Sequence, residues 1–456
     1  MTAPAIDTST VATARDAHDR TVAEIAAQVR ARIARGEPLH IDKGGVHHFV
    51  PLPRDRRFAG SGIDVSRLNR VLEIDPAARR CVAEAGVTFA ELVRATLTHG
   101  LLPIVVPELE GITVGGAVAG CSVESMSWRY GGFHDTCLEY ELVSGAGEVL
   151  TVSREREPHL FHMIHGSYGT LAILTCLTFR LVPAERYVRL AYRRFSTADA
   201  FEAELRARIA AADFPFIDGI VHGPRELVLC LGTFSDTAPY TSDYRWLDIY
   251  YKSTRRRSED YLTTEDYCFR YDTECHWLTR TVPPLEWGPV RFAVGKVFLG
   301  STNLIRWSKR LERVLALKKR PDVVVDVFVP SRRFRDFFDW YTRGLAFYPL
   351  WIVPYRIAEP YPWIAPSHAA GFGDDLFLDC AVYGKRNDDP AVDWSQALEE
   401  KTYELNGIKT LISRNHHTPE QFWRVYDQPG YARAKSRLDP HGMFPSLYEK
   451  FHRDRR

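Results

Sequence analysis

Lysine is scarce in this chain. Of its 59 basic residues only 11 are lysine, and 58 acidic residues leave a formal net charge of +1. A nucleic-acid surface normally shows a clustered basic excess, and the one basic run, Arg255–Arg257, is too short to supply it. The eight cysteines (81, 121, 137, 176, 230, 268, 275 and 380) never fall at CxxC spacing, which excludes a zinc ribbon or a thioredoxin-type site. Several lie inside apolar runs, as Cys176 does in ILTCLTF, and read as buried thiols of a reducing compartment. No bound metal is expected. No stretch approaches about 18 uninterrupted apolar residues, so no membrane span is expected. The first twenty residues carry no apolar h-region, so no signal peptide is expected and the cytoplasm is the expected location.

The composition is otherwise that of a globular protein: 456 residues, 45% apolar and 26% charged, enough for two or three domains. The chain is organised around Val106–Phe133, VPELEGITVGGAVAGCSVESMSWRYGGF, with six glycines and almost no charge between Gly111 and Cys121. Lacking Cβ, glycine lets backbone amides approach a ligand's oxygens, so this run suits a loop that cradles a phosphate or cofactor. It equally suits a tight bend in a buried strand. Two further glycine segments flank it: HIDKGGVHHFVP (His40–Pro51) upstream, and Gly166, Gly169 and Thr170 ahead of an apolar strand downstream.

These three segments, in this order, resemble the FAD-binding half of the vanillyl-alcohol oxidase/PCMH flavoprotein superfamily, and within it the Δ24-sterol reductase (seladin/diminuto) family. The family's strings appear at Val106–Gly116, Val123–Gly131 and Gly169–Ala184, and its tail at Asn406–Lys409, Glu420–Trp423 and Phe444–Lys450. The resemblance implies an α+β fold: a PCMH-type FAD-binding domain of two α+β subdomains, plus an α+β cap domain with an antiparallel sheet. The expected division is a docking helix at 1–36, the flavin domain at 37–184, a substrate cap at 185–400, and a tail at 401–456 folding back on the flavin domain. Eukaryotic members carry a membrane anchor ahead of the flavin domain, and none is expected here.

The same resemblance assigns cofactor contacts. Gly44 and Gly45 would form the pyrophosphate turn. His47 and His48 stand where some oxidase members attach flavin covalently, although they can equally well bond locally, and the sterol-reductase branch binds FAD without such a link. Thr113, Val114, Gly115 and Gly116 would offer amides and a hydroxyl to the flavin or its diphosphate. Ser122, Glu124 and Ser125 would touch the ribityl or ring edge, and Arg129 is either a phosphate partner or a solvated loop residue. Gly169, Thr170 and Ile173 would border the isoalloxazine, where backbone donors stabilise the charge that builds on the reduced ring. His165 is either flavin-adjacent or structural.

Periodicity places a helix from about Ala12 to Arg35, where Val22, Ile25, Val29 and Ile33 fall three and four apart. In the cap, Tyr187–Phe195, Gly219–His222, Glu226–Gly232, Val323–Val329, Phe347–Ile357 and Leu376–Gly384 read as strands, and Thr197–Ala212 and Phe334–Arg343 as helices. Alternation puts Trp351, Val353 and Tyr355, or the opposite set, over the flavin. The tyrosine-rich stretch Tyr240–Tyr271 reads either as a solvated surface or as substrate contact.

Three functions fit. The first is NAD(P)H-driven reduction of a carbon–carbon double bond in an apolar or ring-containing substrate, with FAD as hydride carrier and His416, Tyr355 or Tyr348 as proton donor. Relatives place a tyrosine where His416 stands. The second is an FAD-dependent oxidase or dehydrogenase of an alcohol or amine. The third is a flavin-binding protein without turnover.

Overall fold

Two antiparallel sheets organise the molecule, and the chain crosses from one to the other through the three residues after Pro183. The computed structural model describes residues 8–43, 61–281, 283–307, 323–389 and 391–452. Gly44, Gly45, His47 and His48 therefore lie outside the described residues.

The first sheet holds β3 (Val71–Asp75), β4 (Arg80–Glu84), β6 (Cys137–Ser144), β7 (Val149–Ser153) and β8 (Ala172–Pro183) in the order β3-β4-β8-β6-β7, with β5 (Leu101–Pro103) also paired to β8. A small parallel pair, β1 (Leu39–Asp42) and β2 (Ser61–Asp64), stands beside it. Helix α1 (Thr8–Arg35) lays Val22, Ile25, Ala26 and Val29 against Val143 and Ile173 of this sheet and Phe444 of the tail. Helix α2 (Phe89–Leu97) starts on a capping box between Thr88 and Glu91, and its buried face packs in the main core.

The glycine-rich stretch is not a loop at Val114. It is the start of helix α3 (Val114–Ala119), capped by the Thr113 side chain, which accepts from the Gly116 amide at 3.3 Å. The Gly115 amide donates to Ala85 O at 2.9 Å, and a Cβ on Gly115 would meet Ala85 Cβ at 2.8 Å. Gly115 is thus required for close approach of helix to strand.

The second sheet has eight strands in the order β12-β9-β11-β10-β14-β15-β13-β16. These are β9 (Tyr187–Phe195), β10 (Phe216–Gly223), β11 (Glu226–Ser235), β12 (Glu259–Thr263), β13 (Val323–Pro330), β14 (Leu350–Arg356), β15 (Leu376–Lys385) and β16 (Ile408–Lys409). One face (Ile217, Val221, Val325, Val327, Ile352, Leu378, Cys380) packs on helices Ala198–Ala211 and Phe334–Arg343. Trp351, Val353 and Tyr355 point the other way, toward Met126 and Val123 of the first unit, so the register selects this set.

Between the units lies a buried cation. The Arg270 guanidinium, with no exposed side-chain area, meets Glu124 at 2.8 Å and Asp218 at 3.2 Å. It stands 4.2 Å from the Tyr267 ring centre and 4.7 Å from that of Tyr271. Asp218 also accepts from Tyr271 Oη and Trp351 Nε1, each at 2.8 Å. Tyr250, Tyr251, Tyr267 and Tyr271 are buried, so much of the tyrosine-rich stretch is core rather than solvated surface. After β16 the chain meets the first unit again through the helix Gln428–Leu438: Lys435 Nζ donates to Thr170 O at 2.7 Å, and Tyr431 Oη to Thr170 Oγ1 at 3.0 Å.

Removing one partner of a buried ion pair leaves the other charge uncompensated. Arg270→Met should therefore cost about 3–5 kcal/mol in urea unfolding, and Arg270→Met with Glu124→Gln less than the sum of the two single changes.

His18 of α1 is buried between Glu84 and Glu141, 2.9 Å from each. Burial alone would lower its pKa, but the bonds to Glu141 and Glu84 reverse this and raise it to about 9. Its contribution should be fully present below pH 6.5 and be lost as pH rises through 9. Unfolding midpoints measured across that window should fall by on the order of 2 kcal/mol, and the His18→Gln variant should lack the slope.

Candidate active site

Where the two units and the tail meet, a narrow cleft of about 60 Å3 opens. Its floor is Gly120, Cys121 and Val123, which follow α3, and the turn His165–Tyr168 that enters β8. Its roof is Phe328, Tyr355 and Ile357 of the second sheet together with Tyr361 and Trp363, and tail residues Ile408–Leu411, Tyr426 and Tyr431 close one side. The lining is predominantly apolar and aromatic, the usual character of a small-molecule site.

Polar groups enter this lining in one file. Tyr355 Oη lies 2.6 Å from Tyr361 Oη, and Tyr361 donates to Asp135 Oδ2 at 2.6 Å. Asp135 Oδ2 also accepts from the Gly132 amide at 2.7 Å and stands 3.2 Å from His134 Nε2. Burial drives the Tyr355 and Tyr361 phenols well above their ordinary pKa, so both stay protonated. Beside them His165 Nε2 pairs with Tyr140 Oη at 2.9 Å, and burial holds the ring neutral.

Deeper on the same roof face lies an acidic group. Asp326 bonds to Tyr383 Oη, and burial raises its carboxyl to about 6. Glu108, from the glycine-rich stretch, meets His276 Nε2 at 2.5 Å. Asp379, opposite Phe328 and Val353 in the sheet register, leaves Oδ1 buried and without a hydrogen-bond partner. Burial, then the charges of Asp326 and Glu108, push its carboxyl well above the usual range.

The lining and the turn that adjoins it fit a flavin in three respects. His165 Nδ1 and Trp363 Nε1 are buried, border the cleft and have no hydrogen-bond partner among the described residues. The amides of Val123 and Gly169 find no acceptor among the described residues. Gly169 has φ +68°, a conformation that disfavours side chains, and a Cβ there would meet Ile41 at 3.0 Å.

Residues 18–153 match the family described as FAD binding domain. Human Delta(24)-sterol reductase is 25% identical over 452 residues, covering 95% of this chain and 86% of that protein. The Arabidopsis thaliana Delta(24)-sterol reductase is 24% identical over 449 residues, 89% of this chain and 79% of its own. Cytokinin dehydrogenase 7 of Oryza sativa subsp. japonica is 32% identical over 220 residues, covering 46% of this chain and 41% of that protein. The chain carries an FAD-binding domain and is an FAD-dependent oxidoreductase. No helix among the described residues is long and apolar enough to cross a membrane.

Several residues singled out in the sequence stand elsewhere than expected in this flavoprotein. Thr113 caps α3, Val114 is core, and the Gly115 and Gly116 amides bond to protein oxygens. Ser122 bonds through its backbone to Ala117 and Phe133. Glu124 faces Arg270, and the Ser125 hydroxyl bonds to Glu124 and Tyr267 rather than facing the cleft. Thr170 is held by Tyr431 and Lys435, and Ile173 packs beneath α1. Of the three candidate donors only Tyr355 borders the cleft. Tyr348 lines a separate recess, and His416 Nε2 turns to Ser395 Oγ at 3.2 Å while burial lowers its pKa to about 4. Asp135, Tyr361 and Asp379 escaped sequence reasoning. An aspartate inside the apolar run LFLDCAVYG was a visible signal for the last.

Because Asp379 binds a proton on folding, it opposes stability increasingly as pH rises above the unfolded carboxyl pKa. The Asp379→Asn variant should match the parent near pH 4 and be the more stable of the two at pH 8, as read from urea midpoints.

Proposed function

We propose that this flavoprotein reduces a carbon–carbon double bond of an apolar, ring-containing substrate, drawing its electrons from NAD(P)H. The observation that carries this reading is the Tyr355–Tyr361–Asp135 file, the hydrogen-bonded route from a buried carboxyl to the mouth of an apolar cleft. Bound FAD would supply the hydride carrier. Val123, His165 and Gly169 would hold it on the cleft floor, and Gly44 and Gly45 its diphosphate. The boundaries at 37–184, 185–400 and 401–456 serve as flavin domain, cap and tail in this reading. Eight unpaired thiols, seven of them buried, accord with a reducing compartment, and we assign the protein to the cytoplasm.

Hydride addition to an alkene leaves the second carbon electron-rich, and that carbon must receive a proton. Phe328, Ile357, Ile408 and Leu411 exclude the water that would otherwise provide it. Tyr355 is the hydroxyl placed to do so. As it gives up its proton, the Tyr361 hydroxyl 2.6 Å away turns to donate to the oxygen left behind, and a proton returns from solvent once product leaves. Asp135, anchored by the Gly132 amide at 2.7 Å, positions Tyr361 for this.

A second reading, oxidation of an alcohol or amine, draws on the similarity to a cytokinin dehydrogenase and on the same file. With Tyr361 donating to Asp135, Tyr355 donates to Tyr361 and presents a lone pair to the cleft, ready to accept a proton as its own passes along the file.

The decisive experiment is anaerobic. Purified yellow protein should bleach rapidly on addition of NADPH or NADH and recover its colour on addition of an apolar alkene. Absence of bleaching by either donor, with hydrogen peroxide formed from an alcohol or amine in air, selects the second reading. Tyr355→Phe should leave bleaching by the donor intact and slow reoxidation by the alkene about 10²–10⁴-fold, the usual contribution of a positioned acid.

A further inference from the structure

Away from the cleft, the second unit carries a recess of about 690 Å3 that the proposed reaction does not use. It shares no lining residue with the cleft. Tyr348 borders it just before β14 and Tyr355 borders the cleft, and seven residues of extended chain separate them by roughly 20 Å.

The recess is walled by cations. Lys252, Arg255, Arg256 and Arg280 face it together with two carboxylates, Glu226 and Glu286. Both carboxylates are already engaged: Arg255 grips Glu226 through Nε and a terminal nitrogen, each at 2.7 Å, and Lys252 holds Glu286 at 2.7 Å. Arg280 donates to the Tyr348 carbonyl, and neither it nor Arg256 has a carboxylate partner among the described residues. His222 adds no charge, since burial and then the nearby Arg255 lower its pKa to about 4. At neutral pH the wall thus carries two positive charges without protein counterions, both on guanidinium groups, whose planar donors match the oxygens of phosphate.

We propose that this recess binds a phosphate-bearing small-molecule anion, with Arg256 and Arg280 as its principal contacts. The whole chain's balanced charge and the confinement of the cations to one concavity favour a compact polyanion over a nucleic-acid strand. A soluble phosphate ester and a phospholipid headgroup present the same chemistry to these arginines.

Calorimetric titration of the flavin-loaded full chain with inorganic pyrophosphate tests this. Saturable binding is expected, weaker with inorganic phosphate and weakened by added salt, and Arg256→Ala with Arg280→Ala should reduce the affinity about tenfold or more. Both side chains are exposed, so the flavin spectrum and thermal midpoint of the double variant should match the parent. Co-sedimentation with phosphoinositide vesicles, reversed by pyrophosphate, would support the site with a lipid headgroup as its source; binding of free pyrophosphate alone would support it with a soluble one. No binding of pyrophosphate or vesicles at millimolar phosphate, or binding unchanged in the double variant, overturns the proposal.

Discussion

Arg270 holds the two sheets in register. A guanidinium with no solvent contact must find its counter-charge within the protein, and it takes Glu124 from the glycine-rich stretch and Asp218 from the second sheet. Three tyrosine rings surround it, and Tyr271 and Trp351 complete the hydrogen bonds of Asp218. Burial raises the pKa of Glu124 while the arginine opposes that rise. Neither carboxylate can leave the cation without carrying an unpaired charge into an apolar interface, which fixes the height of the roof over Cys121 and Val123. The cleft exists at its observed width because this contact does.

That constraint also explains what the sequence showed and what it hid. Elements set by local periodicity were legible: Tyr187–Phe195 and Phe334–Arg343 have the expected bounds, and the predicted helix from Ala12 extends from Thr8 to Arg35. The flavin fold was legible because a dense set of motifs carried it. The division of labour among polar residues was not, because it depends on which element lands opposite. Glu124 and Ser125 sit in a glycine-rich stretch and look available to a ligand, yet Arg270, 146 residues away, claims Glu124, and Tyr267 engages Ser125. Alternation offered two faces for β14, and only pairing with β15, whose inward residues include Asp379, chose Tyr355. Tyr348 lies outside the strand, so the same reasoning could not place it.

The tyrosine-rich stretch is a related case. Its mixture of charge and aromatic rings resembles a solvated surface, because the pattern lacks a single period. In the folded chain three of its tyrosines surround one arginine, and acidic residues find local partners, as Asp260 does with Ser242 and Tyr244. Composition alone could not separate a ring facing water from one facing a buried cation.

The cleft joins two demands that conflict in water. An apolar substrate is held by surfaces that exclude solvent, while protonation at carbon needs an acid where no solvent can provide one. A lone buried phenol meets the first demand and fails the second, since burial raises its pKa and makes the isolated phenolate costly. A second phenol 2.6 Å away, itself positioned by a carboxyl anchored to a backbone amide, offers that charge a hydrogen bond. Asp379 meets a similar demand by another route, since its burial and then its acidic neighbours favour the protonated form. In both places the low-dielectric interior favours the neutral acid at the substrate side and confines full charge to positions with compensating donors.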